Sequence, residues 1–121
     1  ISSWEHEVVR GSGLSPAQMH AVEIIGHEGE LRMKELAEKM GVTTGTLTVM
    51  VDRLERAGFV HRQPHASDRR SYLVCLTDKG RRHYKQHQQL HLQLTREMVA
   101  ALSSEEQEEF GEMLGKMLAR V

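Results

Sequence analysis

The amino-acid sequence predicts a mainly α-helical fold with one small β-hairpin. Helix-capping signals and glycine stops divide most of the chain into helical segments, whereas two short central segments are rich in β-branched and aromatic residues. A content of 39% hydrophobic and 27% charged residues is typical of a soluble globular protein. The length of 121 residues suits one domain.

A helix is predicted over residues 15–28. Ser15 and Gln18 have the spacing of a capping box, and Pro16 stands at the first helical position, where proline is favoured. The segment HEGE (27–30) ends this helix, because glycine tolerates the left-handed conformation found at helix ends.

The next two predicted helices are separated by only a short turn. MKELAEKMG (33–41) ends at Gly41, and the following helix begins near Thr43 or Thr44 and stops at Gly58. The apolar residues at helical spacing in these two segments are Leu36, Ala37, Met40, Leu47, Met50, Val51 and Leu54.

The pattern then changes to that of strands. FVHRQ (59–63) and SYLVCLT (71–77) are joined by the polar stretch PHASDRR (64–70), and together they predict a β-hairpin. Two further helices are predicted after it, over about 78–101 and, behind a second capping box, about 104–119.

The net charge of −1 hides an uneven distribution along the chain. Residues 53–82 contain eight Arg or Lys and three Asp or Glu, a net charge of +5, whereas residues 103–112 contain five glutamates and no basic residue. A localised basic region predicts a face that binds a polyanion. The alternative is that these charges only solvate the surface.

Several classes of protein are excluded by the sequence. The apolar runs are far too short to cross a membrane, so no membrane partner is expected. The single cysteine, Cys75, fits a reducing cytoplasm, and no secretory leader is seen, although we expect a segment before Ile1. An enzyme is not predicted, because Gln88 after His87 breaks the zinc-protease motif and no nucleophile turn is recognisable.

The order of helix, short turn, helix and hairpin is that of a winged helix-turn-helix. In this arrangement the second helix of the helix-turn-helix pair, the recognition helix, enters the DNA major groove. The hairpin, or wing, contacts the DNA backbone or the minor groove. The basic region 53–82 covers the end of that recognition helix, the wing and the start of the long helix. Charge and topology therefore agree.

The run LAEKMGVTTGTLTVMVDRLERAGFVHRQPHASDRRSYLVCLTDKGR resembles the MarR family of transcriptional regulators. Its most diagnostic parts are VDRLERAGFV (51–60), DRR (68–70) and LTDKGR (76–81), in the family's order and spacing. The resemblance implies a homodimer in which terminal helices interlock and each subunit reads half of a palindromic site. It therefore implies a sequence-specific DNA-binding regulator, and we expect a repressor.

The resemblance also implies the domain organisation. One MarR-type domain is expected over residues 1–121, with the winged helix-turn-helix lobe at about 31–77 and flanking dimerisation helices at about 1–12 and 78–121.

Candidate DNA contacts lie on the recognition helix and the wing. Threonine hydroxyls can donate to phosphates or base edges, threonine methyls can pack on thymine, and arginines can bind phosphates. Asp68 can hold Arg70 extended toward a narrow minor groove, which the resemblance also implies for Arg70, although Arg70 alternatively only balances Asp68. The predicted DNA-binding residues are Thr43, Thr44, Thr46, Thr48, Arg53, Arg62, Asp68, Arg69 and Arg70. Many relatives carry an arginine in the middle of the recognition helix, where this chain has Val49 and Met50. The sequence therefore does not determine which bases this helix reads.

Two histidines of the long helix form a candidate metal site. Tyr84, His87, His91, Leu94, Met98 and Ala101 follow the spacing of a buried seam. His87 and His91 are therefore close enough on one helical face to share a metal ion, although zinc needs three or four ligands. Ordinary core histidines and a pH-sensitive role are the alternatives.

The resemblance extends to a zinc-responsive branch of the MarR family. That branch uses one histidine of the second helix, two histidines four residues apart in the long helix, and a carboxylate of the first helix. His20, His87 and His91 match the histidines, and Glu7 is taken as the carboxylate, with Glu5 and His6 as alternatives. The expected cofactor is Zn²⁺, although Ni²⁺ and Cu²⁺ suit the same ligands.

Other inputs and functions remain open from the sequence. The same cleft can take a small organic effector such as an aromatic acid, and Cys75 can sense oxidants, although its strand position favours an inert, inward-facing thiol. From another class, a winged helix can serve as a protein-interaction adaptor without binding DNA.

Overall fold

The structure is a computed structural model and describes residues 13–65, 67 and 71–120. The elements in chain order are α1 (Pro16–Glu28), β1 (Glu30–Arg32), α2 (Met33–Met40), α3 (Thr44–Arg56), β2 (Val60–Pro64), β3 (Tyr72–Leu76), α4 (Asp78–Val99) and α5 (Ser104–Leu118). The predicted mainly α-helical fold with a winged hairpin is confirmed, and the predicted helix starts agree closely with these bounds.

The capping signals in the sequence form as predicted. The Ser15 hydroxyl accepts the Gln18 N–H at 3.1 Å, while the Gln18 side chain accepts the Ser15 N–H at 2.9 Å. Gly41 has a φ of +68° in the left-handed region and ends α2. Because this conformation is easy only for glycine, it permits the tight turn into α3.

The sheet contains a strand that the sequence analysis did not predict. β1 pairs antiparallel with β3, which also pairs with β2, so the strand order is β1–β3–β2. Only Leu31 of β1 is buried, opposite Val74 of β3. A strand of three residues with one inward side chain has too little alternation to be recognised, so it is defined by its pairing rather than by its own sequence.

The described chain divides into two compact units, one ending at Gln88 and the other beginning at Gln89, inside α4. The first unit has a continuous core built by helices α1 to α3 and the sheet. Its fully buried large side chains are Met19, Val22, Ile25, Leu36, Leu47, Val51, Leu54, Val60 and Val74. This core holds α3 by one face and leaves the other face in solvent.

The second unit differs in its exposure. All of α5 is exposed, including Phe110, Met113 and Leu114. The predicted seam of the long helix is also incompletely covered, because Met98 is 69% exposed. The single-domain assignment and the dimerisation helices stay predictions, and residues 1–12 lie outside the described residues.

None of the helices in the described ranges combines the length and the apolar character that crossing a bilayer requires.

Candidate nucleic-acid interface and metal centre

The recognition helix α3 is anchored by its apolar face. Leu47, Val51 and Leu54 are completely buried, whereas Thr48 and Val49 on the other side are exposed. The spacing of the three buried residues follows the helical repeat, so the remaining residues form one outward face. The predicted recognition helix therefore has a free surface for a partner.

The threonine hydroxyls at the start of α3 are used within the helix. Thr43 is the N-cap: its hydroxyl accepts the Thr46 N–H at 3.1 Å and donates to the Thr46 hydroxyl oxygen at 3.1 Å. The Thr48 hydroxyl donates to the Thr44 carbonyl at 2.8 Å. The hydroxyl protons of Thr43 and Thr48 are thus donated to acceptors within the helix, which sequence spacing alone does not reveal.

Arg62 lies between two carboxylates instead of reaching away from the protein. Its guanidinium donates to Asp52 at 2.6 Å and to Glu55 at 2.9 Å, while its backbone N–H donates to Glu55 at 3.0 Å. These bonds from Arg62 lower the pKa of Glu55, and the bond to Glu55 raises the pKa of Arg62. Arg62 therefore ties β2 to α3, and its predicted phosphate contact stays a prediction.

A cleft of about 460 Å³ opens beside the start of α3. Arg32, Lys34 and Arg62 contribute basic side chains to it, and Thr44 and Thr48 line it from the recognition helix. Arg53 lines a second groove, of about 350 Å³, on the same helix. Basic side chains beside an exposed helix suit a phosphate backbone, because phosphate contacts fix the position of a DNA-binding protein.

The base of the wing is held by His65. Its Nε2 lies 3.1 Å from the Arg32 guanidinium, and its Nδ1 lies 2.9 Å from the Ser67 hydroxyl. The wing residues Asp68, Arg69 and Arg70 lie outside the described residues. Their minor-groove contact therefore stays a prediction.

The candidate metal centre begins with a pair between two helices of the first unit. His87 of α4 is only 8% exposed, and its Nε2 contacts the carboxylate of Glu23 on α1. Nearby, the Tyr84 ring lies so close to Gly26 that a β-carbon there would be 2.6 Å from it. The absence of a side chain at Gly26 therefore allows α4 to approach α1 and brings His87 to Glu23.

His91, the next predicted ligand, belongs to the second unit of the chain. It follows His87 by one turn of the same helix, α4. Of the predicted ligands, His87 therefore lies beside Glu23 in the first unit, and the part of His91 in a metal site stays a prediction. His20 is exposed on α1, and Glu7 lies outside the described residues.

Glu23 is the ligand candidate that the sequence analysis missed. It stands four residues after Met19 and next to Val22, both of which are buried on α1. Helical periodicity places this carboxylate at the edge of the buried stripe of α1. Because buried acidic residues are rare unless they are paired, this position indicates that Glu23 has a partner. Imidazoles with one carboxylate also fit Zn²⁺, which takes three protein ligands in open sites.

Cys75 lies on the opposite face of the sheet from the one expected. Val74 and Leu76 are the buried residues of β3, whereas Cys75 is partly exposed, with its sulfur 3.0 Å from Nε2 of His61. The prediction that Cys75 faces inward was therefore wrong, because the inward-facing positions of β3 are shifted by one residue. Burial nevertheless raises the pKa of the Cys75 thiol, which disfavours the reactive thiolate.

Comparison with known proteins identifies the family. A family model described as "MarR family" matches residues 14–72. The transcriptional regulator HosA of Escherichia coli is 30% identical over 115 residues, which cover 95% of this chain and 83% of HosA. The repressor YetL of Bacillus subtilis is 31% identical over 113 residues, or 92% and 68% of the two chains. The chain belongs to the MarR family. This is a family of transcriptional regulators and not of enzymes, as the sequence predicted.

Solved structures agree with this MarR-family assignment. Wild-type MarR of E. coli in its apo form has a TM-score of 0.82 at 29% identity and covers 97% of this chain and 87% of MarR. FabT of Streptococcus pneumoniae, solved in complex with DNA, has a TM-score of 0.83 at 27% identity, with coverages of 97% and 83%. The match to other curated relatives is shorter: it covers 47% of YcgE of B. subtilis, so the chain spans about half the length of such relatives.

Proposed function

We propose that this MarR-family chain is a DNA-binding transcriptional repressor that acts as a homodimer on a palindromic site. The observation that supports it most directly is the exposed face of α3 beside a cleft that Arg32 and Lys34 line with basic side chains. A related fold, that of FabT, is solved in complex with DNA, and the relative YetL is named a repressor. Localisation in the cytoplasm belongs to the same proposal.

The exposed apolar residues of the second unit support the homodimer. Phe110, Met113, Leu114, Met117 and Leu118 of α5 are each at least 40% exposed. Such a cluster on one short helix marks an interaction surface, because soluble monomers rarely leave a large contiguous apolar patch in water. A second copy of the same helix is a self-complementary partner, as twofold symmetry requires.

Modulation by a divalent metal, with zinc first, is the second part of the proposal. Glu23 and His87 of the first unit would supply two ligands, and His91 stays the predicted third ligand. A metal changes DNA affinity only if it binds one conformation of the regulator more tightly than the other. The pairing of Glu23 with the buried His87 places two of the proposed ligands side by side.

The test of DNA binding separates a regulator from a protein-interaction adaptor. Fluorescence anisotropy with a labelled duplex should show a steep loss of affinity with salt, as counterion release requires. Arg53→Ala should reduce the slope of log K against log salt by about one, the contribution of one phosphate contact. Arg96→Ala, an exposed arginine of α4, is the matched control. Salt-independent binding, or none, would reject the DNA-binding function.

The test of the metal site is a zinc titration against a chromophoric chelator. His87→Ala, His91→Ala and Glu23→Gln should each weaken zinc by more than about a hundredfold, since even outer-shell partners contribute ten- to a hundredfold. His27→Ala, an exposed histidine of α1, should leave the affinity unchanged. A loss with His20→Ala but not with Glu23→Gln would instead favour the ligand set implied by the family resemblance.

A further inference from the structure

The first two turns of α3 lack the side chains that usually read bases by paired hydrogen bonds. From Thr44 to Val51 the helix contains no Arg, Lys, Asn, Gln or Glu. These are residue types that make bidentate contacts with guanine or adenine, or accept from cytosine. The first charged residue, Asp52, is already engaged by Arg62 at 2.6 Å. The outward face must therefore read DNA in another way.

The outward face of these turns carries one apolar side chain, Val49, among threonines. Val49 is 52% exposed, the largest exposure of a hydrophobic side chain on α3. The Thr48 hydroxyl donates to the Thr44 carbonyl at 2.8 Å, so Thr48 presents its methyl group to a partner and no free donor. An exposed valine beside a threonine methyl matches the one apolar group in the major groove, the 5-methyl of thymine.

We infer that Val49, with the methyl of Thr48, determines specificity by contacting thymine methyl groups in the major groove. This inference rests on the proposed DNA-binding function and names the bases that it selects. Each half-site of the operator therefore contains an A·T pair at the position that faces Val49, and no guanine contact is made from the middle of α3.

The charges around Val49 favour DNA as the occupant of this apolar surface. Arg53 follows Val49 by one helical turn and lines the same groove, together with Thr46 and Gln18. Arg32 and Lys34 border the neighbouring cleft, on the side of Thr48. An apolar strip between basic side chains suits a groove whose floor carries methyl groups and whose edges carry phosphates.

The test removes one methyl group at a time from the DNA. Bound sequences are selected from random duplexes, and each thymine is then replaced by deoxyuridine, which lacks only the 5-methyl. We expect about a fourfold loss of affinity at one or two symmetric positions, the value of one buried methyl group. Placing 5-methylcytosine at the same position, in a C·G pair, restores the methyl group and should recover part of the lost affinity.

Variants connect this effect to Val49. Val49→Ala should reduce the difference in affinity between the thymine and deoxyuridine duplexes, whereas Val99→Ala, a valine of the second unit, should keep the full difference. Val49 is exposed, so its truncation should leave the unfolding temperature unchanged. The inference is overturned if no deoxyuridine substitution weakens binding, or if Val49→Ala keeps the full difference. Failure of wild type to bind any duplex would instead reject the DNA-binding function itself.

Discussion

The two units of the chain use their apolar residues in opposite ways. In the first unit nine large apolar side chains, among them Met19, Leu54 and Val74, are fully buried, so this lobe completes its own core. Among the described residues of the second unit, Leu92, Met98 and the apolar residues of α5 are largely exposed. The same kind of side chain therefore stabilises a fold in one unit and is available for association in the other.

The largest expected effect comes from the core of the first unit. Leu54→Ala should lower the free energy of unfolding by about 2–5 kcal/mol, because Leu54 is fully buried and its truncation leaves a cavity. Urea denaturation followed by circular dichroism measures this change. A loss below about 1 kcal/mol would show that the core can collapse around the site, in conflict with its dense packing.

The next effect tests the opposite role of α5. The double change Leu114→Glu and Met117→Glu should weaken self-association by roughly a hundredfold, because two charges would have to leave water at the interface. Sedimentation equilibrium should detect monomers at concentrations where the wild type is dimeric. A double variant that still sediments as the wild type does would exclude α5 as the dimer contact.

A smaller effect is expected where α1 and α4 meet. Gly26→Ala places a β-carbon 2.6 Å from the Tyr84 ring, and the resulting overpacking should cost about 1–3 kcal/mol. Helix propensity alone would favour alanine by up to about 1 kcal/mol. Gly45→Ala is the matched control, since its nearest neighbour would be 3.9 Å away.

The two glycine variants should therefore change thermal stability in opposite directions. Gly26→Ala should also weaken zinc binding. Equal shifts of the unfolding temperature would show that Tyr84 moves aside without cost.

Local sequence signals predicted the helices because these signals act within a few residues. Ser15 with Gln18, and Ser103 with Glu106, cap their helices as expected. Pairings made across the fold were not predictable in this way. Glu23 joins His87, and Arg62 joins Asp52 and Glu55, only after distant segments are packed together. Residue types suggested ligands and phosphate contacts, but the partners of each charge depended on the packing.

The smallest effect separates a structural arginine from a DNA contact in the first unit. Glu55→Gln should lower the free energy of unfolding by about 0.5–1 kcal/mol at neutral pH, because the pair with Arg62 is partly exposed and screened by solvent. Hydrogen bonds from Arg62 lower the pKa of Glu55 from 4.5, so its stabilising contribution is present above that value. It is lost as the pH falls through the lowered pKa.

Urea titrations of wild type and Glu55→Gln should therefore differ at about pH 7 and converge as the pH falls below the lowered pKa of Glu55. A difference that is independent of pH would mean that the carboxylate charge contributes nothing and that only the shape of the side chain matters. Convergence would instead show that Arg62 is held by ionised Glu55 before any DNA is present. Since that charge is already offset within the lobe, Arg53, and not Arg62, should then account for the change in salt dependence of DNA binding.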